Sequence, residues 1–290
     1  FHANSSYKDR PCHVNCDCGR FLEIANSVFM EYRKAGDGFA PLPQKNVDFG
    51  GGLERLAAAV NDNPDVFRID VFAPMRATVE RVSGKKYGQS DEVDKAFRVI
   101  LDHLRAAVFL IADGAHPSNK DQGYFTRRLM RRSIRYAHLL EIKEQFCAEV
   151  AKATITAYAD AYPNLREHEQ LILGALEKEE EKFRRTLARG LKVFEHATWN
   201  MEPGTKLSAK AAFDLYQSYG FPIEMTEELA AERGLTVDAA GFAEELKKHQ
   251  ELSRKSAEKK FHGGLADHSD LTIMGHTATH LLHAALRKVL

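Results

Sequence analysis

The chain has 290 residues, 44% of them hydrophobic, enough to pack one large domain or two to three small ones. Lysine plus arginine equals aspartate plus glutamate, 41 each, so global charge does not advertise nucleic-acid binding and any such site must be a local patch. Four cysteines, three of them crowded into positions 12–18, do not make a secreted disulfide framework, and no apolar run approaches the ~20 residues that span a bilayer, so a cytoplasmic protein without membrane contact is expected.

Residues 1–20 are polar and punctuated by Pro11 and Gly19. The start has neither an initiator Met nor an apolar signal segment, and reads as the interior of a longer chain. Cys12, Cys16 and Cys18, with His13 beside them, are candidate ligands of a structural zinc, or else reduced cysteines in an irregular loop, because Cys-x3-Cys-x-Cys is not a standard zinc spacing. Residues 19–33 are rich in β-branched and aromatic side chains and meet the turn signal Ala35-Gly36-Asp37-Gly38. With residues 39–49 they predict an antiparallel hairpin.

The hairpin leads into Val47-Asp48-Phe49-Gly50-Gly51-Gly52-Leu53-Glu54-Arg55-Leu56-Ala57, which reads as strand, glycine turn, helix. Glycines let a ligand approach the backbone where a Cβ would block it, and Arg55 in the first helical turn can meet a phosphate presented to the free N–H groups there. The same pattern also describes a plain strand-to-helix turn with solvent-facing charges. Past Pro74 and a polar loop at residues 84–91 the chain turns helical, which sets a domain boundary near residue 76.

Residues 96–112 form an amphipathic helix ended by Asp113-Gly114, with His103 and Arg105 read as surface residues. The loop Pro117-Ser118-Asn119-Lys120-Asp121-Gln122-Gly123 feeds a helix on which Arg127, Arg131 and Arg135 share one face at i, i+4 and i+8, with Arg128 and Arg132 beside them. Five arginines in nine residues repel one another unless phosphates or acids neutralise them. They are therefore either an RNA backbone contact or a face paired with acids of the Glu-rich helix further on. That helix, around residues 177–185, reads as a solvated charged face without chemistry. Ser208 is an N-cap and Gly220 ends the helix it opens; residues 227–260 read as helical, residues 261–275 as a connector. In the last segment His276 and His280 lie one turn apart, correct for two imidazoles on one zinc.

Five segments carry a resemblance. The glycine segment resembles the third signature motif of class II aminoacyl-tRNA synthetases, and the preceding Val47-Asp48 makes it similar to the alanyl-tRNA synthetase form. Glu23-Ile24-Ala25-Asn26-Ser27-Val28-Phe29 resembles that family's Glu-Ile-Trp-Asn-x-Val-Phe strand, with Ala25 in place of the tryptophan; Phe49 and Gly51 replace the usual threonine and methionine. Residues 103–136, including Pro117-Ser118-Asn119, match the family's tRNA-recognition region, and Leu215-Tyr216-Gln217-Ser218-Tyr219-Gly220-Phe221-Pro222 resembles its second recognition segment, with Gln217 where aspartate is usual. His276-Thr277-Ala278-Thr279-His280-Leu281-Leu282-His283 resembles the start of its editing-domain metal helix.

The resemblance implies an α+β fold: the C-terminal half of a class II antiparallel sheet, followed by a mainly helical tRNA-recognition domain. The parts are residues 1–75 of the adenylation domain, 76–260 for tRNA recognition, and 261–290 as connector and first editing helix, with the first two class II motifs expected before Phe1. It implies that Asp48 receives the α-ammonium of alanine, Asn26 contacts the amino-acid portion and Val28 lines the pocket for the methyl group. Gly50, Gly52 and Arg55 hold ATP, which makes Arg55 and Asp48 the catalytic residues. Asn119 reads the G·U pair of the tRNA(Ala) acceptor stem, Glu224 supplies the second reading side chain, and Arg127, Arg128, Arg131, Arg132 and Arg135 contact the tRNA. An amide, with donors and acceptors both, suits an exposed base edge. His276 and His280 bind an editing-domain zinc, so the implied cofactors are ATP, Mg2+ and Zn2+. The implied reaction activates alanine with ATP, transfers it to tRNA(Ala) and hydrolyses mischarged tRNA. Two alternatives remain: a non-catalytic RNA-binding protein on the same scaffold, and a nucleotide-binding regulator using the glycine motif.

Overall fold

A computed structural model describes residues 13–14, 20–260 and 269–289, without the side chains of residues 253–260. The cluster Cys12, Cys16 and Cys18 lies outside the described residues.

β1 (Ala25–Ala35) and β2 (Gly38–Gly51) form an antiparallel hairpin closed by Gly36, whose φ of +59° is the left-handed conformation glycine adopts without strain. A bulge between Met30 and Tyr32 shifts the register midway. α1 (Leu53–Val60) follows at once, then two short 3-10 turns, and α2 (Ala73–Ser83) with proline in its first turn and Gly84 as its left-handed C-cap. The segment after residue 65 is turn: Asp65 Oδ1 accepts from Phe67 N at 3.1 Å and starts the first 3-10 turn.

α3 (Asp91–Ala112), capped by Ser90, buries Phe97, Ile100, Leu101, Leu104, Val108 and Ile111 at helical spacing. It packs on α4 (Asp121–Leu139) and α5 (Cys147–Tyr158); α6 (Asn164–Glu167) is one turn, and α7 (Glu169–Thr198) is the longest helix described. The expected surface positions on α3 are corrected here. The side chains of His103 and Arg105 are only 12% and 20% exposed, because both find polar partners on neighbouring helices: His103 Nε2 meets Arg132, and Arg105 meets Glu54.

The chain divides into two compact units, residues 1–185 and 186–290, so the division falls inside α7 and the change expected near residue 76 falls inside α2. The first unit holds the hairpin and α1 to α6. In the second, α8 (Ala209–Tyr219) and α10 (Ala239–Lys260) pack around Ala212, Phe213 and Phe242, with α9 (Ile223–Glu232) between them in sequence. β3 (Lys206–Leu207) and β4 (Thr236–Val237) pair in parallel. The helix expected over residues 227–260 is interrupted there, because Gly234 at φ +69° turns the chain into β4. α11 (Asp270–Val289) carries the two histidines and has no buried residue. Among the described residues the chain is mainly helical with small two-stranded sheets, and no helix is long and apolar enough to cross a membrane.

Candidate functional sites: a hairpin face and an asparagine loop

The register of the hairpin settles which side chains share a face. Asn26 pairs with Gly50, Val28 with Asp48 and Met30 with Asn46, and opposed residues of an antiparallel pair point the same way. Asn26, Val28 and Asp48 therefore stand together on one face, while Ser27, Phe29, Val47 and Phe49 occupy the other. Asn26 Nδ2 donates to Glu23 Oε1 at 2.9 Å, which leaves its oxygen on the side of Gly50: a Cβ on Gly50 would sit 3.6 Å from it. Two acceptors of this face, Asp48 and Asn26 Oδ1, flank a small apolar side chain, Val28.

The start of α1 joins this face. Gly52 N donates to Ile24 O at 2.9 Å and Arg55 Nη1 to Glu23 O at 2.8 Å, so the first helical turn is stitched to the strand that carries Asn26. A Cβ on Gly52 would lie 3.1 Å from Arg55 Cδ; the glycine makes room for the arginine stem to fold back. The guanidinium stays exposed. Its neighbour Glu54 points the other way, to Arg105, and although burial acts in the opposite sense, its own helix N–H and Arg105 hold its carboxyl below the usual range.

The second site is the loop before α4. Ser118 N donates to Gly123 O at 3.0 Å and Thr126 Oγ1 to Ala115 O at 2.8 Å, which fastens the loop to the first turns of the helix. Asp121, at φ +48°, makes the left-handed turn that reverses the chain. Asn119 is exposed, and its Oδ1 accepts a short hydrogen bond from Arg127 Nη1. Arg127 Nε lies 3.3 Å from Glu179 Oε1 of α7, an ion pair without hydrogen-bond geometry; the same oxygen receives Arg131 Nε at 2.7 Å.

The arginine face thus divides. Arg131 and Arg135 are 7% and 2% exposed, because their face of α4 is the one turned inward, and Arg131 is bonded to Glu179 and lies over Phe183. The buried arrangement corresponds to pairing with the Glu-rich helix. Arg128 covers exposed Phe125 at 4.3 Å, and Arg132 is half-buried against His103. Glu179 and Glu180 are the residues sequence reading passed over. Glu180 is fully buried and accepts the backbone N–H groups of Phe146 and Cys147 and the Arg184 guanidinium. A signal existed: Glu179 falls three residues after buried Leu176 and four before buried Phe183, on the apolar stripe.

Glu224 lies in the first turn of α9, in the second unit, whereas Asn119 belongs to the first. On α11, His276 Nε2 and His280 Nε2 are 3.1 Å apart with rings edge to face, which fits two corners of a tetrahedral metal. No group of three or more histidine, cysteine or carboxylate side chains able to hold a metal ion occurs among the described residues, so this pair alone does not complete a zinc site.

The family model described as tRNA synthetases class II (A) matches residues 3–285. The chain is 47% identical over 282 residues to an alanine–tRNA ligase of Borreliella afzelii, covering 96% of this chain and 47% of that protein. It is 43% identical to the alanine–tRNA ligase of Treponema pallidum over 284 residues, with the same shares, and 42% identical to that of Carboxydothermus hydrogenoformans over 85% of this chain and 29% of the relative. The chain spans about half the length of the first two of these relatives.

Proposed function

The chain belongs to the alanyl family of class II tRNA synthetases, and on that premise we propose that it supplies part of the alanine-activating site and part of the acceptor-stem reader of an alanine–tRNA ligase, in the cytoplasm. The observation that carries this reading is the hairpin register, which gathers Asn26, Val28 and Asp48 on one face beside Arg55. In the finer form of the fold, β1 and β2 are strands of the class II antiparallel sheet.

The chemistry follows from the side chains. An α-ammonium group is a donor on three sides, and the Asp48 carboxylate with Asn26 Oδ1 offers it acceptors and a negative charge. Val28 leaves room on this face for a methyl and opposes a larger side chain by contact. Arg55, exposed at the helix start, takes the phosphates of ATP, where Mg2+ would supply further charge neutralisation. Asn26, Val28 and Asp48 bring no hydroxyl, thiol or amine nucleophile to the face, which suits a reaction in which alanine's own carboxylate attacks the α-phosphate and the protein contributes position and charge neutralisation. The acceptor stem of tRNA(Ala) is met by the Asn119 loop, with Arg128 nearby for its phosphates and Glu224 as the second reading side chain. His276 and His280 contribute two ligands to a zinc of an editing site.

The test is ATP–pyrophosphate exchange by a full-length ligase carrying residues 1–290. Exchange driven by alanine and lost in Asp48→Asn supports the reading; alanine-driven exchange that Asp48→Asn and Arg55→Ala leave unchanged refutes it. Absence of alanine-driven exchange in the unsubstituted ligase would favour the RNA-binding alternative, in which the half-site is scaffold.

A further inference from the structure

Resting on the acceptor-stem reading above, we infer that Glu179 is a positioning residue: through Arg127 it holds the Asn119 amide with its NH2 group outward, so that the loop reads a hydrogen-bond acceptor on an exposed base edge.

The argument runs from the buried charge to the surface. Glu179 is a carboxylate with a side chain only 6% exposed, and a buried carboxylate requires positive partners. It has two, Arg131 at 2.7 Å and Arg127 at 3.3 Å, both on the inward side of α4. Arg131 is spent within this pairing, but Arg127 sits one turn nearer the loop and directs Nη1 onto Asn119 Oδ1. With a side chain 12% exposed, Arg127 is poorly placed to follow a phosphate backbone itself.

Guanidinium carries donors only, so the amide group facing it must be the oxygen. The nitrogen then faces away from the protein, and its two N–H groups are all the exposed end of Asn119 offers. Reading is thereby restricted to acceptors, such as the O6 and N7 of guanine or the carbonyl oxygens of uracil. A freely rotating amide would accept either polarity and discriminate less.

The experiment measures binding of the chain to two acceptor-stem hairpins that differ only in G·U against G·C at the third pair. Asn119→Asp keeps the size and strengthens the pairing with Arg127 but presents only acceptors; the G·U preference is expected to fall about tenfold or more. If the outward group were the oxygen, that preference would survive. Glu179→Gln keeps the packing and removes the charge that aims Arg127; preference is expected to fall about tenfold while affinity for the G·C stem stays within about twofold, whereas a merely structural role would lower both stems alike. Should Glu179→Gln fail to fold, Arg127→Lys decides the same point: it keeps a charge for a phosphate but loses the planar fork, and loss of preference without loss of G·C affinity supports the relay. Preference that persists in Asn119→Asp or Arg127→Lys overturns this inference alone. Absence of any preference in the unsubstituted chain overturns the acceptor-stem reading and this inference with it.

Discussion

Glu54 Oε1 lies 2.6 Å from Arg105 Nη1, and that guanidinium also donates to Tyr158 Oη at 3.0 Å and rests 4.7 Å from the centre of the Phe72 ring. The residue next to Arg55 in sequence is therefore anchored to α3 and α5, and the helix that would present Arg55 to phosphates takes its orientation from the helical bundle. Arg105→Met removes both hydrogen bonds and keeps much of the volume. It is expected to destabilise the chain by about 1–3 kcal/mol and to speed hydrogen exchange at the α1 amides more than in α4. Urea denaturation and exchange by mass spectrometry measure the two effects.

The same pair gives a pH dependence. Glu54 titrates below its ordinary value of 4.5, and the His103 hydrogen bond holds Asp102 below its ordinary 3.8 against the pull of burial. A carboxyl whose folded pKa is depressed contributes stability that is present above its unfolded pKa and lost as pH falls through the folded one. Unfolding free energy is accordingly expected to decline as pH falls below about 4.5, with a shallower decline in Glu54→Gln. Denaturant titrations at a series of acid pH values measure both slopes.

Gly123 has a φ that any residue adopts, so its requirement is spatial: a Cβ there would lie 2.2 Å from His116 O and 2.3 Å from Ser118 Oγ. Gly123→Ala must push away the loop that bears Asn119, at a cost of about 1–3 kcal/mol. Both thermal stability and the G·U preference are expected to fall together, in contrast to Asn119→Asp, which spares stability.

Arg131 distinguishes a buried partner from a surface cation. Arg131→Ala leaves Glu179 with one arginine in a largely dry position, and a stability loss of about 3–5 kcal/mol is expected. The slope of log affinity against log salt, read on any stem, is expected to stay unchanged in whatever fraction remains folded, since Arg131 faces inward.

Much of this was legible in the sequence where local chemistry dominates. The turn at Gly36, the alternation before it, the Ser208 cap and the Gly220 stop are short-range signals, and the hairpin and α8 follow from them. The register that unites Asn26, Val28 and Asp48 does not follow from the turn alone, because the bulge between Met30 and Tyr32 moves the pairing from Tyr32 with Pro41 to Met30 with Asn46. Illegible positions are those where tertiary partners override polarity. Glu179, Glu180, Arg105, Arg131 and Arg135 look like surface charges, yet each is enclosed in the fold: Arg131 meets Glu179, Arg105 meets Glu54, and Glu180 accepts the backbone N–H groups of Phe146 and Cys147. The unit division was hidden for a different reason: α7 is one continuous helix, and nothing in its sequence marks residue 185.

The central claim is that this chain reads the acceptor stem of tRNA(Ala), and the most direct test is binding of the unsubstituted chain to the G·U and G·C hairpins across a salt series. A preference for G·U by about tenfold or more, with parallel salt slopes for the two stems, is the predicted result, since base readout and phosphate contact are separate contributions. Equal affinity for the two stems at every salt concentration would contradict it.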